Sequence, residues 1–221
     1  QMREFERFNT VCSNAFVKPL MASYLNRLVD RLASIGVGCP VYLIHSGGGL
    51  ISVETAARFP VRLLESGPAG GAIFAADIAA RHRLDKILSF DMGGTTAKIC
   101  LIDDALPKTA KTFEVARTYR FKKGSGMPIS IPVIEMVEIG AGGGSIASID
   151  ILGRIAVGPQ SAGSEPGPVC YGRGGEQPTV TDADLVLSRL DPDNFAGGSI
   201  VLDGPAAGTA LKEAIGVPLS L

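Results

Sequence analysis

The stretch that most limits how this chain can fold is Leu88-Ser-Phe-Asp-Met-Gly-Gly-Thr-Thr-Ala-Lys-Ile-Cys-Leu-Ile-Asp103. An apolar strand delivers Asp91, two glycines turn the chain with Thr95 and Thr96 exposed, and a second apolar strand leaves. The pattern predicts a hairpin from about Lys86 to Asp103. A glycine turn has no side-chain bulk, so its N–H groups can approach a phosphate closely, and the threonine hydroxyls add donors. Asp91 cannot face a phosphate directly, because like charges repel. It can hold a divalent cation, with or without an intervening water. The hairpin therefore reads as a grip for a magnesium nucleotide. A tight type I′ or II′ hairpin that binds nothing carries the same local sequence, so the motif alone leaves both readings open.

Composition narrows the classes. At 221 residues the chain is long enough for one large domain, or a domain with a lobe, and its 46% hydrophobic and 19% charged content is ordinary for a globular protein. A net charge of −1 provides no electrostatic footprint for nucleic acid or an anionic membrane. No apolar run approaches the roughly 20 residues needed to span a bilayer, and no basic-then-apolar export signal is present. Cys12, Cys39, Cys100 and Cys170 lack metal-ligand spacing, and His45 and His82 are the only histidines. Cysteine usage and the missing signal together predict the reducing cytoplasm. The outlier is 28 glycines, clustered in short groups between apolar strands as backbone-lined loops would be.

Leu20, Tyr24, Leu28, Leu32 and Ile35 recur at helical spacing. They predict a helix from about Pro19, which suits a first turn, to a stop at Gly36. Val41 to Ile44 reads as a strand, Ser46-Gly-Gly-Gly49 as a strand-to-helix turn that could also serve as a phosphate-approach loop, Val53 to Arg58 as a short helix and Val61 to Leu64 as a further strand. Glu65-Ser-Gly-Pro68 opens an alanine-rich helix from Ala69 to about Arg83. Phe113 to Phe121, Pro132 to Ile139, Ile146 to Ile149 and Arg154 to Val157 predict strands, and Lys122-Lys-Gly-Ser-Gly126 an exposed turn. Residues 158–180, rich in glycine and proline, exceed the usual ~12–15-residue limit of a structureless loop and predict a lid or a rigid wrap. Thr181-Asp-Ala-Asp184 has the capping pattern ahead of Leu185, Val186, Leu187 and Leu190, and Pro205 to Ile215 fits a last helix. This mixture, with no fixed-period repeat, predicts an α/β or α+β layer fold.

Among the glycine groups, Ile139-Gly-Ala-Gly-Gly-Gly-Ser145 is the most pointed. Four glycines in five positions forfeit about 0.5–1 kcal/mol each relative to alanine in regular structure. They suggest a base or phosphate lying flat on the backbone of Gly140, Gly142, Gly143, Gly144 and Ser145. Ser66 and Gly67 stand at a helix start, where the dipole favours an anion and where simple capping by Ser66 serves equally well. Asp182 and Asp184 could assist a metal, but helix capping already accounts for them. Arg173 could contact an anion or simply be solvated. No Gly-x-Gly-x-x-Gly opens a βαβ unit, which disfavours a dinucleotide enzyme.

Taken together, several stretches resemble the hydantoinase A/5-oxoprolinase family. They are Asn14-Ala-Phe16 with Tyr24-Leu25, Glu65-Ser-Gly-Pro-Ala-Gly-Gly71, Phe90-Asp-Met-Gly-Gly-Thr-Thr96, Glu138-Ile-Gly-Ala-Gly-Gly-Gly-Ser-Ile146, Val157-Gly-Pro-Gln-Ser-Ala-Gly163, Pro166-Gly-Pro-Val-Cys-Tyr-Gly-Arg-Gly-Gly175 and Pro178-Thr-Val-Thr-Asp-Ala-Asp-Leu185. The resemblance covers nearly the whole chain. It implies a ribonuclease H-like α/β lobe of the sugar kinase/actin/heat-shock ATPase fold, with a mixed sheet flanked by helices. It also implies ATP and Mg²⁺ as cofactors and a cyclic amide of the hydantoin or 5-oxoproline type as substrate, opened after phosphorylation of the amide oxygen. Asp91 and Thr95 are then the catalytic candidates, with Asp91 as metal ligand. Gly93, Gly94 and Thr96 belong to the phosphate hairpin, Gly140 to Ser145 to the adenosine side, and Ser66 and Gly67 to the helix joining two lobes.

Two features depart from the family pattern. Lys98 stands where many relatives carry aspartate, and reads as a surface residue on the outgoing strand rather than a phosphate partner. The family's first Asp-x-Gly-Gly-Thr hairpin is missing, so the expectation is a central segment, inactive alone. In that segment residues 1–85 connect and residues 86–221 form the nucleotide lobe. The alternative is a non-catalytic scaffold lobe of an acetone- or acetophenone-carboxylase-like complex, seated against a hydantoinase B-type subunit.

Overall fold

The computed structural model describes residues 4–118 and 124–220. The distal part of the expected 113–121 strand, and Lys122 and Lys123 of the expected turn, lie outside the described residues. The α/β class expected from the sequence is observed, as helices with several small antiparallel sheets. The chain forms two compact units that interleave in sequence, residues 1–89 with 100–136 and residues 90–99 with 137–221. The sequence reading divides the chain once, between 85 and 86. The chain itself changes unit inside the 86–103 hairpin and again after residue 136.

The first unit opens with a 31-residue helix, α1 (Glu4–Ser34), so the helix begins well before the expected start and Pro19 lies in its interior. Proline removes one helical N–H and crowds the preceding turn. Tertiary bonds hold the early half regardless. Asn14 donates from Nδ2 to the Arg58 carbonyl at 3.3 Å and accepts at Oδ1 from the Val61 amide at 3.2 Å. Thr10 Oγ1 accepts from the Ser130 amide at 2.8 Å. Strands β1 (Tyr42–Ile44) and β2 (Leu50–Ser52) pair antiparallel, so Ser46-Gly-Gly-Gly49 is a hairpin turn and not the expected strand-to-helix turn. A Cβ at Gly49 would stand 2.7 Å from His45 Nε2, and one at Gly47 2.9 Å from its Cε1, so the turn wraps the imidazole.

Helix α2 spans Val53–Arg58, as expected, with Ser52 accepting from the Thr55 amide as its cap. The expected strand at 61–64 is instead a 3₁₀ turn, Pro60–Leu63, because Pro60 occupies a first-turn position and preconfigures its φ. Helix α3 (Ser66–His82) starts three residues early. Its N-cap position falls on Glu65, in the left-handed region at φ 60°, so the expected capping role of Ser66 is not observed. The thin face of α3 buries Ala69, Ala72 and Ala76 against Cys100, Ile102 and Ile134.

Strands β3 (Lys86–Met92) and β4 (Ala97–Asp103) form the expected hairpin. In the first unit the far end of β4 pairs with β5 (Leu106–Pro107). Strand β6 (Thr109–Ala110) and β7 (Phe113–Val115) pair respectively with β9 (Val133–Ile134) and β8 (Met127–Ile129). Val61, Ile129, Ile131 and Val133 form a second small core there. The run 132–139 is thus broken into β9 and, in the second unit, β10 (Val137–Ile139).

Within the second unit β10 pairs antiparallel with the start of β4, and β11 (Ser145–Ile149) with β12 (Ile155–Ser161). Helix α4 (Val180–Val186) and α5 (Gly204–Leu211) follow. The helical chain beyond Leu211 loosens into a π turn over Lys212–Gly216. Cys170, Leu185, Leu202 and Ala207 make the core between α4, α5 and a 3₁₀ turn at Val169–Tyr171.

Candidate functional site

Strand register brings the two glycine segments together. Because β10 runs antiparallel to β4 with Ile139 opposite Ala97, the chain leaves β10 at the same end where the hairpin turns. The turn closes with the Gly93 amide donating to the Thr96 carbonyl at 2.9 Å. The loop after β10 then stitches onto it. Gly143 N–H donates to the Gly93 carbonyl at 2.9 Å, and Gly144 N–H to the Gly94 carbonyl at 2.8 Å.

This contact explains the glycines of the loop more directly than a flat ligand does. A Cβ at Gly142 would lie 2.6 Å from both the Gly93 oxygen and the Thr95 nitrogen, and one at Gly144 would lie 3.0 Å from the Gly94 oxygen. Gly142 N–H donates to Ser145 Oγ at 2.9 Å, and Ser145 N–H to the Gly142 carbonyl at 2.9 Å. The amides of Gly142, Gly143, Gly144 and Ser145 are therefore all spent inside the protein. Gly140 is half-buried just after β10.

The hairpin tip is different. Asp91, Gly93, Gly94 and Thr95 are exposed and Thr96 is half-buried. Among the described residues, the N–H groups of Gly94 and Thr95 take no part in this network. The geometry is thus an exposed turn, clamped by a loop that packs Gly142 against the Thr95 nitrogen, with a carboxylate at the end of β3. Lys98 faces Glu138 across the β4–β10 pair. Burial pushes its ammonium pKa down and Glu138 opposes that. Ser66 and Gly67 lie at the start of α3, in the other compact unit.

Behind the loop, α4 supplies a second clamp. The capping pair is Thr179 with Asp182, not the expected Thr181 with Asp184. Asp182 is fully buried and accepts from the amides of Val169 (3.2 Å), Cys170 (2.7 Å) and Thr179 (2.8 Å) and from the Thr179 hydroxyl (2.9 Å). Asp184 receives Arg189 at 3.3 Å. Both carboxylates are thus engaged structurally, Asp182 in the helix cap and Asp184 with Arg189 instead of the expected cap. Residues 158–180 are tied down by the same carboxylate and by Gly167 N–H on the Ala162 carbonyl at 3.2 Å, the behaviour of a wrap. Arg173 is exposed. Thr181, freed from capping, donates both its N–H and its hydroxyl to the Gly143 carbonyl, each at 2.9 Å. Sequence reasoning missed this contact. The only signal for it was an extra threonine two places after the true cap.

The model of the hydantoinase/oxoprolinase family matches residues 7–221. The chain is 38% identical to caprolactamase subunit alpha of Pseudomonas jessenii over 100% of its own length and 30% of that protein. It is 32% identical to 5-oxoprolinase of Dictyostelium discoideum, over 84% of this chain and 15% of that one. The crystal structure of the ATP-dependent caprolactamase shares the fold with a TM-score of 0.71 at 36% identity, covering 100% of this chain and 31% of that one. A nucleotide-free acetone carboxylase matches with a TM-score of 0.74 at 29% identity, covering 100% and 30%. The chain therefore spans about a third or less of the length of these relatives. The shared architecture is consistent with a lobe of the sugar kinase/actin/heat-shock ATPase fold. This chain belongs to the hydantoinase/oxoprolinase family.

Proposed function

We propose that this chain supplies the phosphate-gripping part of an ATP-dependent enzyme that opens cyclic amides of the hydantoin or 5-oxoproline type. The observation that carries the reading is the exposed hairpin tip, whose Gly94 and Thr95 amides stay outside the internal network while the 140–145 loop clamps the turn from behind. Those amides, with the Thr95 and Thr96 hydroxyls, bind phosphate oxygens. Asp91 holds Mg²⁺. Magnesium commonly takes one or two carboxylates and completes its shell with phosphate and water. Among the described residues no group of three or more His, Cys, Asp and Glu side chains gathers. An exposed, single Asp91 therefore fits a cation that arrives on a nucleotide, not a protein-only cage.

A bound nucleotide would supply the phosphoryl group that caps the amide oxygen and makes the carbonyl carbon open to water; the C–N bond then breaks, the ring nitrogen leaves protonated, and the acyl phosphate is hydrolysed to carboxylate and phosphate. The chain's own part is positioning and charge neutralisation. Gly93 closes the turn, and Gly142, Gly143, Gly144 and Ser145 hold it. Gly140 on the adenosine side, and Ser66 and Gly67, enter by family resemblance. Phosphoryl transfer needs neutralisation from more than one side, so these 221 residues alone bind Mg-ATP weakly and turn over little. Cytoplasmic location belongs to the same reading. No helix among the described residues is long and apolar enough to cross a membrane.

A melting shift tests it. With Kd of about 10 μM, 1 mM Mg-ATP stabilises by roughly 2.7 kcal/mol. Asp91→Asn should abolish the magnesium-dependent part. An unchanged shift in that variant refutes the Asp91 role, and no shift at several millimolar refutes nucleotide binding. A second reading, a scaffold lobe seated against a B-type subunit in a carboxylase-like complex, draws on the exposed apolar residues Phe5, Phe8, Val11, Phe16, Leu20 and Tyr24 of α1. Association of that kind would be indifferent to Asp91→Asn.

A further inference from the structure

We propose that Thr181 is a positioning residue for the phosphate hairpin. The inference rests on the nucleotide reading above and adds to it a residue that touches neither nucleotide nor metal. Gly143 is held through both its N–H and its carbonyl: the N–H reaches the Gly93 carbonyl, and the carbonyl receives both donors of Thr181. A carbonyl has two lone pairs, and Thr181 fills both. The chain of bonds runs Thr181 to Gly143, Gly143 to Gly93, and Gly93 to Thr96, where the turn closes.

The other end of this chain does not move easily. Thr181 is buried, and it stands in the first turn of a helix whose start is locked by the Thr179–Asp182 capping box. The same Asp182 carboxylate anchors Val169 and Cys170. The parallel rung is weaker in this respect. Gly144 donates to Gly94, and its carbonyl receives only the backbone amide of Ala162, from an exposed stretch. Ser145 Oγ holds Gly142 from within the loop, and Thr181 ties the loop to a separate element, α4. Space is tight as well: Thr181 Oγ1 stands 2.9 Å from the Gly143 oxygen, closer than a methyl carbon comfortably approaches, so a methyl in place of the hydroxyl would crowd that oxygen instead of bonding to it.

Loss of one buried hydrogen bond together with such crowding is expected to weaken phosphate binding about tenfold. The experiment compares the 221-residue chain with Thr181→Val, Thr181→Ser and Leu202→Ala, the last a core position packed near α4 that takes no hydrogen bond in this chain. Two readouts are taken: the Mg-ATP dissociation constant well below the melting temperature, and the amide NMR shifts of Gly93, Gly94 and Gly143 without nucleotide. Thr181→Val should raise Kd about tenfold and displace those three resonances, and Thr181→Ser should restore both. Leu202→Ala should lower the melting temperature and leave Kd unchanged. If Thr181→Val leaves Kd or the resonances unchanged, or if Leu202→Ala raises Kd equally, the positioning role is overturned. If the unmodified chain shows no Mg-ATP binding, the nucleotide reading falls and this proposal falls with it.

Discussion

At the scale of single residues, Asp182 shows how a polar side chain comes to be buried. A carboxylate with no solvent exposure is costly unless its lone pairs are filled. Here three backbone amides and a hydroxyl fill them. Asp182→Asn turns one acceptor oxygen into a donor that confronts donors, and should cost about 3 kcal/mol, read as a lower urea midpoint. Its neighbour Cys170 feels the same carboxylate. Burial, then the hydrogen bond and charge of Asp182, push the thiol pKa up to about 12. Asn14 has a comparable structural use, bridging Arg58 and Val61 from α1. Its place in a family-like motif is thereby explained without a ligand. Asp91 has no such internal use and stays exposed, which is why it carries the functional reading.

At the scale of elements, short-range signals were reliable where local chemistry had no competitor. The α2 boundaries, Val53–Arg58, were legible because Ser52 caps and the apolar spacing is clear. The 86–103 hairpin was legible because two apolar runs flank a glycine pair. Signals failed where distant contacts outweighed them. Pro19 reads as a helix start, yet Thr10 and Asn14 are bonded to residues far along the chain and extend α1 past it. Pro19 is exposed, so Pro19→Ala should restore a helical hydrogen bond and raise stability by about 1–3 kcal/mol in denaturant unfolding. A loss of stability on that change would mean that the proline ring itself is needed for packing. Thr179 and Thr181 are equivalent cap candidates in sequence. The buried carboxylate chose between them, because only Asp182 could also reach the amides of Val169 and Cys170.

At the scale of the whole molecule, each compact unit buries a thiol, Cys100 in one and Cys170 in the other. Burial is the main cause that raises both pKa values above the ordinary 9.0. Above about pH 9 an unfolded thiol loses its proton while the native one keeps it. The unfolded state then binds fewer protons, so stability falls as pH rises from 9 towards about 12. Lys98, its pKa lowered by burial, works in the opposite sense. The informative measurement is therefore a difference: Cys170→Ala should flatten the alkaline decline seen in unfolding free energy against pH. An identical slope in the variant would refute the assignment.

The order of residues alone determined the α/β class, the hairpin at 86–103, the glycine loop after residue 139 and the family. These follow from period, turn chemistry and motif, which are local and written along the chain. Tertiary structure alone decided what the loop glycines are for. In sequence they look like a surface laid open for a ligand; in the fold Gly142 and Gly144 give up their side chains so that one backbone can lie against another, and the Gly143 and Gly144 amides are spent on it. That choice depends on which strands pair and in what register, a long-range matter of hydrogen-bond partners that no local pattern contains.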